Sequence, residues 1–249
     1  MKLLAVDIGN TTLNFGLFSD NRLVRKKKIS LRELFKASIP FLGFDAAAIS
    51  SVVPDLTPKV AALIKKTVRN VNPVEICYRN APIKMNVGQR RQVGADRIIN
   101  AIAADKLYGP PAIVIDLGTA TTFDVVSFCG EYSGGVIAPG LNISLDALYE
   151  KTAKLPRPVL RRPKSVVGRN TNSAILSGIV YGHAGLINEV LNRIKKEFFK
   201  SQSVNVILTG GYAGFMASYL DNSIIIDEDI TLKGIEIAYK MILCARTWQ

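Results

Sequence analysis

The chain of 249 residues has no uninterrupted apolar run near the roughly 20 residues of a membrane span. Its first strand reaches a carboxylate at Asp7, too early for the apolar region of a secretory signal. A soluble, cytoplasmic protein without a membrane partner is therefore expected. Cysteine is scarce. Cys77, Cys129 and Cys244 are far apart and odd in number, so they form neither a metal motif nor a disulfide framework. Each is expected as a small buried hydrophobe. Histidine is scarcer still: a lone His183 offers no metal cluster. It stands four residues from both Ile179 and Ile187, on an apolar stripe, which suits a core or dimer-interface residue. A Walker A string and the protein-kinase motif set are also missing, which argues against a P-loop enzyme and a protein kinase.

Acidic residues are the minority. Lys and Arg number 32 against 20 Asp and Glu, giving a net charge of +12. That excess favours anionic partners: nucleic acid, an acidic membrane surface or phosphorylated small molecules. Charge alone does not choose among them.

What is present is an alternation of buried strands and amphipathic helices. Strands are expected over 2–8, 13–19, 22–29, 44–53 and 74–78, with helices near 31–38, 55–70 and 94–108. The pattern then restarts, with strands over 112–118, 121–128 and 131–138, a long helix over 171–200 and a buried strand at 204–209. A helix, a short strand at 224–226 and a final helix at 230–245 follow. Asp7, Gly9 and Thr12 recur as Asp116, Gly118 and Thr121, each 109 residues further on. Two strand–turn–strand units at one offset suggest a duplicated α/β fold with mixed sheets. Two domains are assigned, 1–110 and 111–249. Arg25-Lys26-Lys27-Lys28 reads as a charged hairpin edge. The stretch 151–164 has six basic residues, three prolines and no acid. It reads as a solvated loop or as a mobile basic flap beside an anionic ligand.

Chemistry gathers at the strand ends. In Asp7-Ile8-Gly9-Asn10-Thr11-Thr12, glycine allows close backbone approach, and turn amides can face phosphate oxygens. Asp7 could hold hydrated Mg²⁺, an ion usually bound through few carboxylates plus substrate phosphate. A tight turn capped by Asp reads equally well at this motif alone. Asp116-Leu117-Gly118-Thr119-Ala120-Thr121-Thr122 is a second phosphate-loop candidate, and Thr209-Gly210-Gly211 a third nucleotide contact.

These three motifs resemble the two phosphate motifs and the adenosine motif of the actin-like ATPase/sugar-kinase superfamily. Gly94-Ala95-Asp96-Arg97, Gly134-Gly135-Val136-Ile137-Ala138-Pro139-Gly140 and Gly168-Arg169-Asn170-Thr171 with Ser177-Gly178 narrow the resemblance to type III pantothenate kinase. It runs from Asp7 to Ala213, with the motifs in family order. The fold it implies is a pair of similar ribonuclease-H-like domains, each a mixed five-stranded sheet flanked by helices, with a nucleotide cleft between them. The activity it implies is phosphoryl transfer from ATP to the 4′-hydroxyl of pantothenate, opening coenzyme A synthesis. Mg²⁺, a monovalent cation (K⁺ or NH₄⁺) and a homodimer are implied too; nucleic acid is not.

Residue roles follow from the same resemblance. Asp96 matches the family's catalytic base; otherwise it would read as a helix cap paired with Arg97. The helix dipole and Arg97 are expected to keep it ionised. Gly94, Ala95, Asp96, Arg97 and Thr171 match substrate-binding positions, Thr171 with helix capping as its plainer role. Asp7, Ile8, Gly9, Asn10, Thr11, Thr12, Leu13 and Asn14 match the ATP-contacting loop, Thr119 a nucleotide-contacting threonine and Asp116 the monovalent-cation ligand. Thr12 stands where the family often has Asn or Arg, and Gln89-Arg90-Arg91-Gln92 is more basic than the family pattern. The alternatives are a catalytically silent nucleic-acid-binding regulator, which salt-sensitive DNA binding would reveal, and another small-molecule kinase of the superfamily, which a substrate panel would reveal.

Overall fold

The computed structural model describes residues 1–34 and 38–247. Trp248 and part of the helix expected over 31–38 lie outside the described residues. The chain runs β1 (Lys2–Ile8), β2 (Thr12–Ser19), β3 (Arg22–Ser30), α1 (Leu31–Leu34), β4 (Ala46–Ser51), α2 (Thr57–Thr67), β5 (Val74–Ile76) and α3 (Ala95–Tyr108). It continues with β6 (Ala112–Leu117), β7 (Ala120–Val126), β8 (Tyr132–Pro139), α4 (Leu141–Glu150) and α5 (Thr171–Arg193). β9 (Asn205–Thr209), α6 (Ala213–Met216), β10 (Ile225–Ile226) and α7 (Ile230–Thr247) complete it.

The strands form two five-stranded sheets, ordered β3-β2-β1-β4-β5 and β8-β7-β6-β9-β10. Read in chain order within each set, the two orders are the same. The repeat of Asp-x-Gly is therefore a repeat of topology, with Asp7 on the central strand of one sheet and Asp116 on the central strand of the other. In the first sheet β1 and β2 pair antiparallel, as do β2 and β3, while β1–β4 and β4–β5 pair parallel, which makes the sheet mixed. In the second, β6 pairs β9 in parallel, and β9 pairs β10 in parallel.

By contact, the chain divides into two compact units: 1–110 with 125–134 and 229–249, and 111–124 with 135–228. The sequence pattern makes 111–249 one domain. The last helix instead belongs to the first unit, where it packs on β1, β4 and α3. Gly234 permits this approach, because a Cβ there would stand 2.5 Å from the carbonyl oxygen of Ile99 on α3. Thr231 of α7 also donates to buried Asn100 of α3 at 2.8 Å.

Strand alternation sorts the first sheet. Leu4, Val6 and Ile8, Leu13, Phe15 and Leu17, and Ala47 and Ile49 enter one core cluster with Val60 and Ile64 of α2. The opposite face of β1 and β4 meets α7 and α3. The charged run Arg25–Lys28 lies on β3, at the sheet's edge, as its composition demands.

In the second unit α5 is the core helix, burying Ile175, Ile179, Val180, Ile187 and Leu191. It ends at Arg193, and a π-helical turn, Ile194–Phe198, replaces the last part of the expected 171–200 helix. Thr171–Phe198 is also long and apolar enough by composition to cross a membrane; half of its most apolar window is buried inside the protein, as in a core helix. Helix α4 falls where the sequence pattern predicts no element. The 151–164 stretch carries no regular element; Arg157 pairs with Asp146, and the guanidinium of Arg162 lies 6.0 Å from the Phe215 ring. The three cysteines form no disulfide; Cys77 is half-buried, and Cys129 and Cys244 are exposed rather than buried.

Candidate active site

In the first unit, β1 ends in a tight turn closed by the amide of Gly9 donating to the Thr12 carbonyl at 3.0 Å. A Cβ on Gly9 would stand 3.3 Å from that oxygen. Asn10 and Thr11 are exposed on the turn, whereas Ile8 and Leu13 are wholly buried. Of the expected ATP loop, those two residues can therefore offer only backbone groups. Asp7 is buried, and Asn14 Nδ2 donates to its Oδ2 at 3.0 Å across the β1–β2 register.

Helix α3 opens at the same unit's Gly94-Ala95-Asp96-Arg97. Gly94 is the residue before the helix and offers no side-chain cap, so Asp96 is not the N-cap that spacing alone suggested. It occupies the second helical position, and its Oδ1 accepts from the Arg97 amide at 2.8 Å. Gly94 makes this rotamer possible: a Cβ there would stand 2.5 Å from Asp96 Oδ1 and 3.4 Å from Val52 Cγ1. Val52 follows β4 directly, so the start of α3 lies against the chain leaving that strand. Ala95 is buried. The Arg97 guanidinium lies 5.9 Å from the ring centroid of Tyr132.

Burial pushes the Asp96 carboxyl above the usual aspartate range, against the opposing pull of the Arg97 amide and charge. Arg97 and the helix dipole favour the ionised form expected of Asp96, and burial works against them. Desolvation is the larger effect, and it makes Asp96 a stronger base.

In the second unit, the Asp116 carboxylate lies over glycine on two sides. A Cβ on Gly118 would stand 3.2 Å from its Oδ1, and one on Gly210 would overlap that atom and the Leu117 backbone. Gly210 also takes φ +92°, which glycine tolerates best. The parallel register pairs Asp116 with Thr209, so the second and third motifs meet on neighbouring strands. Gly140 abuts the same turn; a Cβ there would overlap the Thr119 carbonyl. The Gly134–Gly140 string thus ends in a residue shaped by the Thr119 turn, a role that its sequence did not disclose. Thr119 itself is exposed.

Thr171 is the first residue of α5 and is exposed. The cap is Asn170, whose side chain accepts from the Ser173 amide at 2.9 Å while Ser173 Oγ accepts from the Asn170 amide at 3.1 Å. This capping box leaves Thr171 available for another partner. Gly168 fits the same corner, since a Cβ on it would overlap the Ala174 amide. His183 is buried and reaches Thr121 Oγ1 at 2.9 Å, a core role.

Among the described residues there is no cluster of three or more His, Cys, Asp or Glu able to hold a metal. A divalent ion would be held by few protein groups together with substrate oxygens, which suits Mg²⁺. Buried Asp7 beside Ser50, a buried hydroxyl in register with it and without a hydrogen-bond partner, fits such an ion. The glycine-lined space at Asp116 Oδ1, which a Cβ would fill, fits a monovalent cation.

The family model described as type III pantothenate kinase matches residues 3–193. A curated relative from Dehalococcoides mccartyi, named type III pantothenate kinase, is 39% identical over 254 residues, covering 96% of this chain and 98% of its own. Two solved structures share the fold. One, from Campylobacter jejuni, is described as a Baf family transcriptional activator (TM-score 0.65, 19% identity, 98% and 99% of the chains covered). The other, from Sinorhizobium meliloti, is described as a 2-dehydro-3-deoxygalactonokinase (TM-score 0.56, 12% identity, 98% and 99% covered). The fold is that of the actin-like ATPases and sugar kinases.

Proposed function

The chain belongs to the type III pantothenate kinase family, and we propose that it moves the terminal phosphoryl group of ATP to the 4′-hydroxyl of pantothenate, with Asp96 as general base. The observation that carries this reading is the Asp96 carboxyl, partly buried at the start of α3 with its basicity raised by desolvation. A base with a raised pKa accepts the hydroxyl proton more readily as the bond to phosphorus forms, a contribution of roughly 10²–10⁴-fold.

The other residues position and neutralise charge, the main task in phosphoryl transfer. The Gly9–Thr12 turn offers backbone and hydroxyl groups to phosphate oxygens, and Asp7 anchors Mg²⁺, which supplies charge neutralisation on the phosphates. Asp116 holds a K⁺ or NH₄⁺ ion, and Thr119 contacts the nucleotide. Arg97 binds pantothenate with Gly94 and Ala95, and Thr171, which Asn170 relieves of capping, is a substrate-binding residue of the second unit.

The shared strand order supports 1–110 and 111–249 as the two duplicated halves, with α7 returning to the first. A homodimer formed through the second unit is supported by exposed Val136, Ile137, Val166 and Val167. It is supported too by Gly178, Gly182 and Gly185 of α5, each open to solvent. The bacterial relative's metabolic role fits a soluble cytoplasmic enzyme.

The test is ADP release from Mg²⁺-ATP on adding pantothenate, in K⁺ and in K⁺-free buffer. Pantothenate-dependent turnover that requires K⁺ is the expected result. Folded protein without turnover in either buffer would refute the reading.

A further inference from the structure

Ser50 lies on the penultimate position of β4 and is wholly buried, yet its hydroxyl has no hydrogen-bond partner. Its neighbour Ser51 behaves otherwise: Ser51 Oγ donates to the Val53 carbonyl at 3.2 Å and accepts from the Val53 amide at 3.1 Å. A buried, unpaired hydroxyl is costly, and native proteins retain few of them.

Register gives the reason for this one. Ser50 pairs with Asp7 of β1 on one side and with Ile76 of β5 on the other. Asp7 in turn pairs with Asn14 of β2. Residues in register project to the same face of a sheet. Asn14, Asp7 and Ser50 therefore form one polar row across three strands, on the face opposite the Leu4, Val6 and Ile8 core. In that row Asp7 is the only polar neighbour of Ser50, since Ile76 offers none. The row lies at the strand ends from which the phosphate turn departs. Two residues beyond Ser50, Val52 meets the start of α3 beside Asp96.

We infer that Ser50 is a further positioning residue of the phosphate site, its hydroxyl engaging the hydration shell of the Mg²⁺ anchored by Asp7. The inference rests on the proposed role of Asp7. It explains why a fully buried hydroxyl without a protein partner stands beside that carboxylate: the partner arrives with the ion.

Ser50→Ala, Ser50→Cys and Asp7→Asn test it together. Cysteine keeps the volume but binds hard cations and water poorly. Two quantities are read: the Mg²⁺ half-saturation for binding a non-hydrolysable ATP analogue, followed by thermal shift, and the Tm without ligand. Both Ser50 variants are expected to raise the Mg²⁺ half-saturation by about tenfold, the scale of one hydrogen bond to a charged group. Their ligand-free Tm should equal or exceed that of the parent, because an unsatisfied buried group has been removed. Should Ser50→Ala not fold, Ser50→Cys alone decides. A half-saturation within about twofold of the parent in the folded Ser50 variants, with Asp7→Asn impaired, overturns the Ser50 inference only. An unchanged Mg²⁺ requirement in Asp7→Asn overturns the Asp7 reading and this inference with it.

Discussion

His183 Nε2 lies 2.9 Å from Thr121 Oγ1, both side chains buried, and this bond ties α5 to the strand that leaves the Asp116 turn. Its loss should be felt as stability. His183→Ala removes the bond and leaves a void, a cost of about 1–3 kcal/mol. Burial holds the His183 imidazole below its usual pKa. For a base lowered in this way, stability is full above its unfolded pKa, near 6.5, and is lost as pH falls from there through the folded value. His183→Gln cannot take up that proton. Its denaturation midpoint should therefore fall less between pH 7.5 and 5.5 than the parent's, which urea titrations at the two pH values measure.

Asp96→Asn should abolish turnover, by roughly 10²–10⁴-fold or more, while nucleotide binding persists. Stability should move the other way. The folded pKa of Asp96 is raised by burial, so its ionisation opposes folding once pH exceeds the folded value, and the effect vanishes below the unfolded value near 3.9. The variant should melt above the parent at pH 8, with the gap closing by about pH 3.9 if both remain folded. A variant less stable than the parent at pH 8 would contradict the desolvation argument.

Asn170→Ala removes the cap of α5 and half of the capping box. A loss of about 0.5–2 kcal/mol is expected by chemical denaturation. Because the cap sets the backbone of Thr171, the KM for pantothenate should rise more than kcat falls. An unchanged KM would separate Thr171 from substrate binding.

The duplicated topology was legible because its signal is local: a buried strand, then Asp-x-Gly, then a second strand. The β3 edge was legible from four consecutive basic residues, and α5 from its apolar stripe. What escaped depends on distant contacts. Helix α4 followed a glycine-rich string that reads as a turn. The return of α7 to the first unit rests on packing against β1, β4 and α3, with a close approach at Gly234, and a glycine inside a helix does not name its neighbour. Arg97 is visible in the sequence beside Asp96, but the desolvation that outweighs its pull belongs to the packed structure. Ser50 carried no signal at all, since a serine in an apolar strand acquires meaning only when the register sets it beside Asp7.

Gly210 gives the sharpest test of the proposed cation site. Its φ of +92° strains any other residue, and a Cβ would overlap Asp116 Oδ1. Gly210→Ala therefore makes two changes, backbone strain and displacement of the carboxylate. The strain alone should cost about 1–3 kcal/mol. Asp116→Asn makes neither steric change but removes the charge. If Asp116 holds K⁺, the two variants should share one kinetic defect, a raised K⁺ half-saturation, while only Gly210→Ala loses substantial stability. Titrating K⁺ at fixed ionic strength, beside a melting curve for each variant, separates the two effects. A K⁺ requirement unchanged in Asp116→Asn would place the cation elsewhere and leave Gly210 with a purely conformational role.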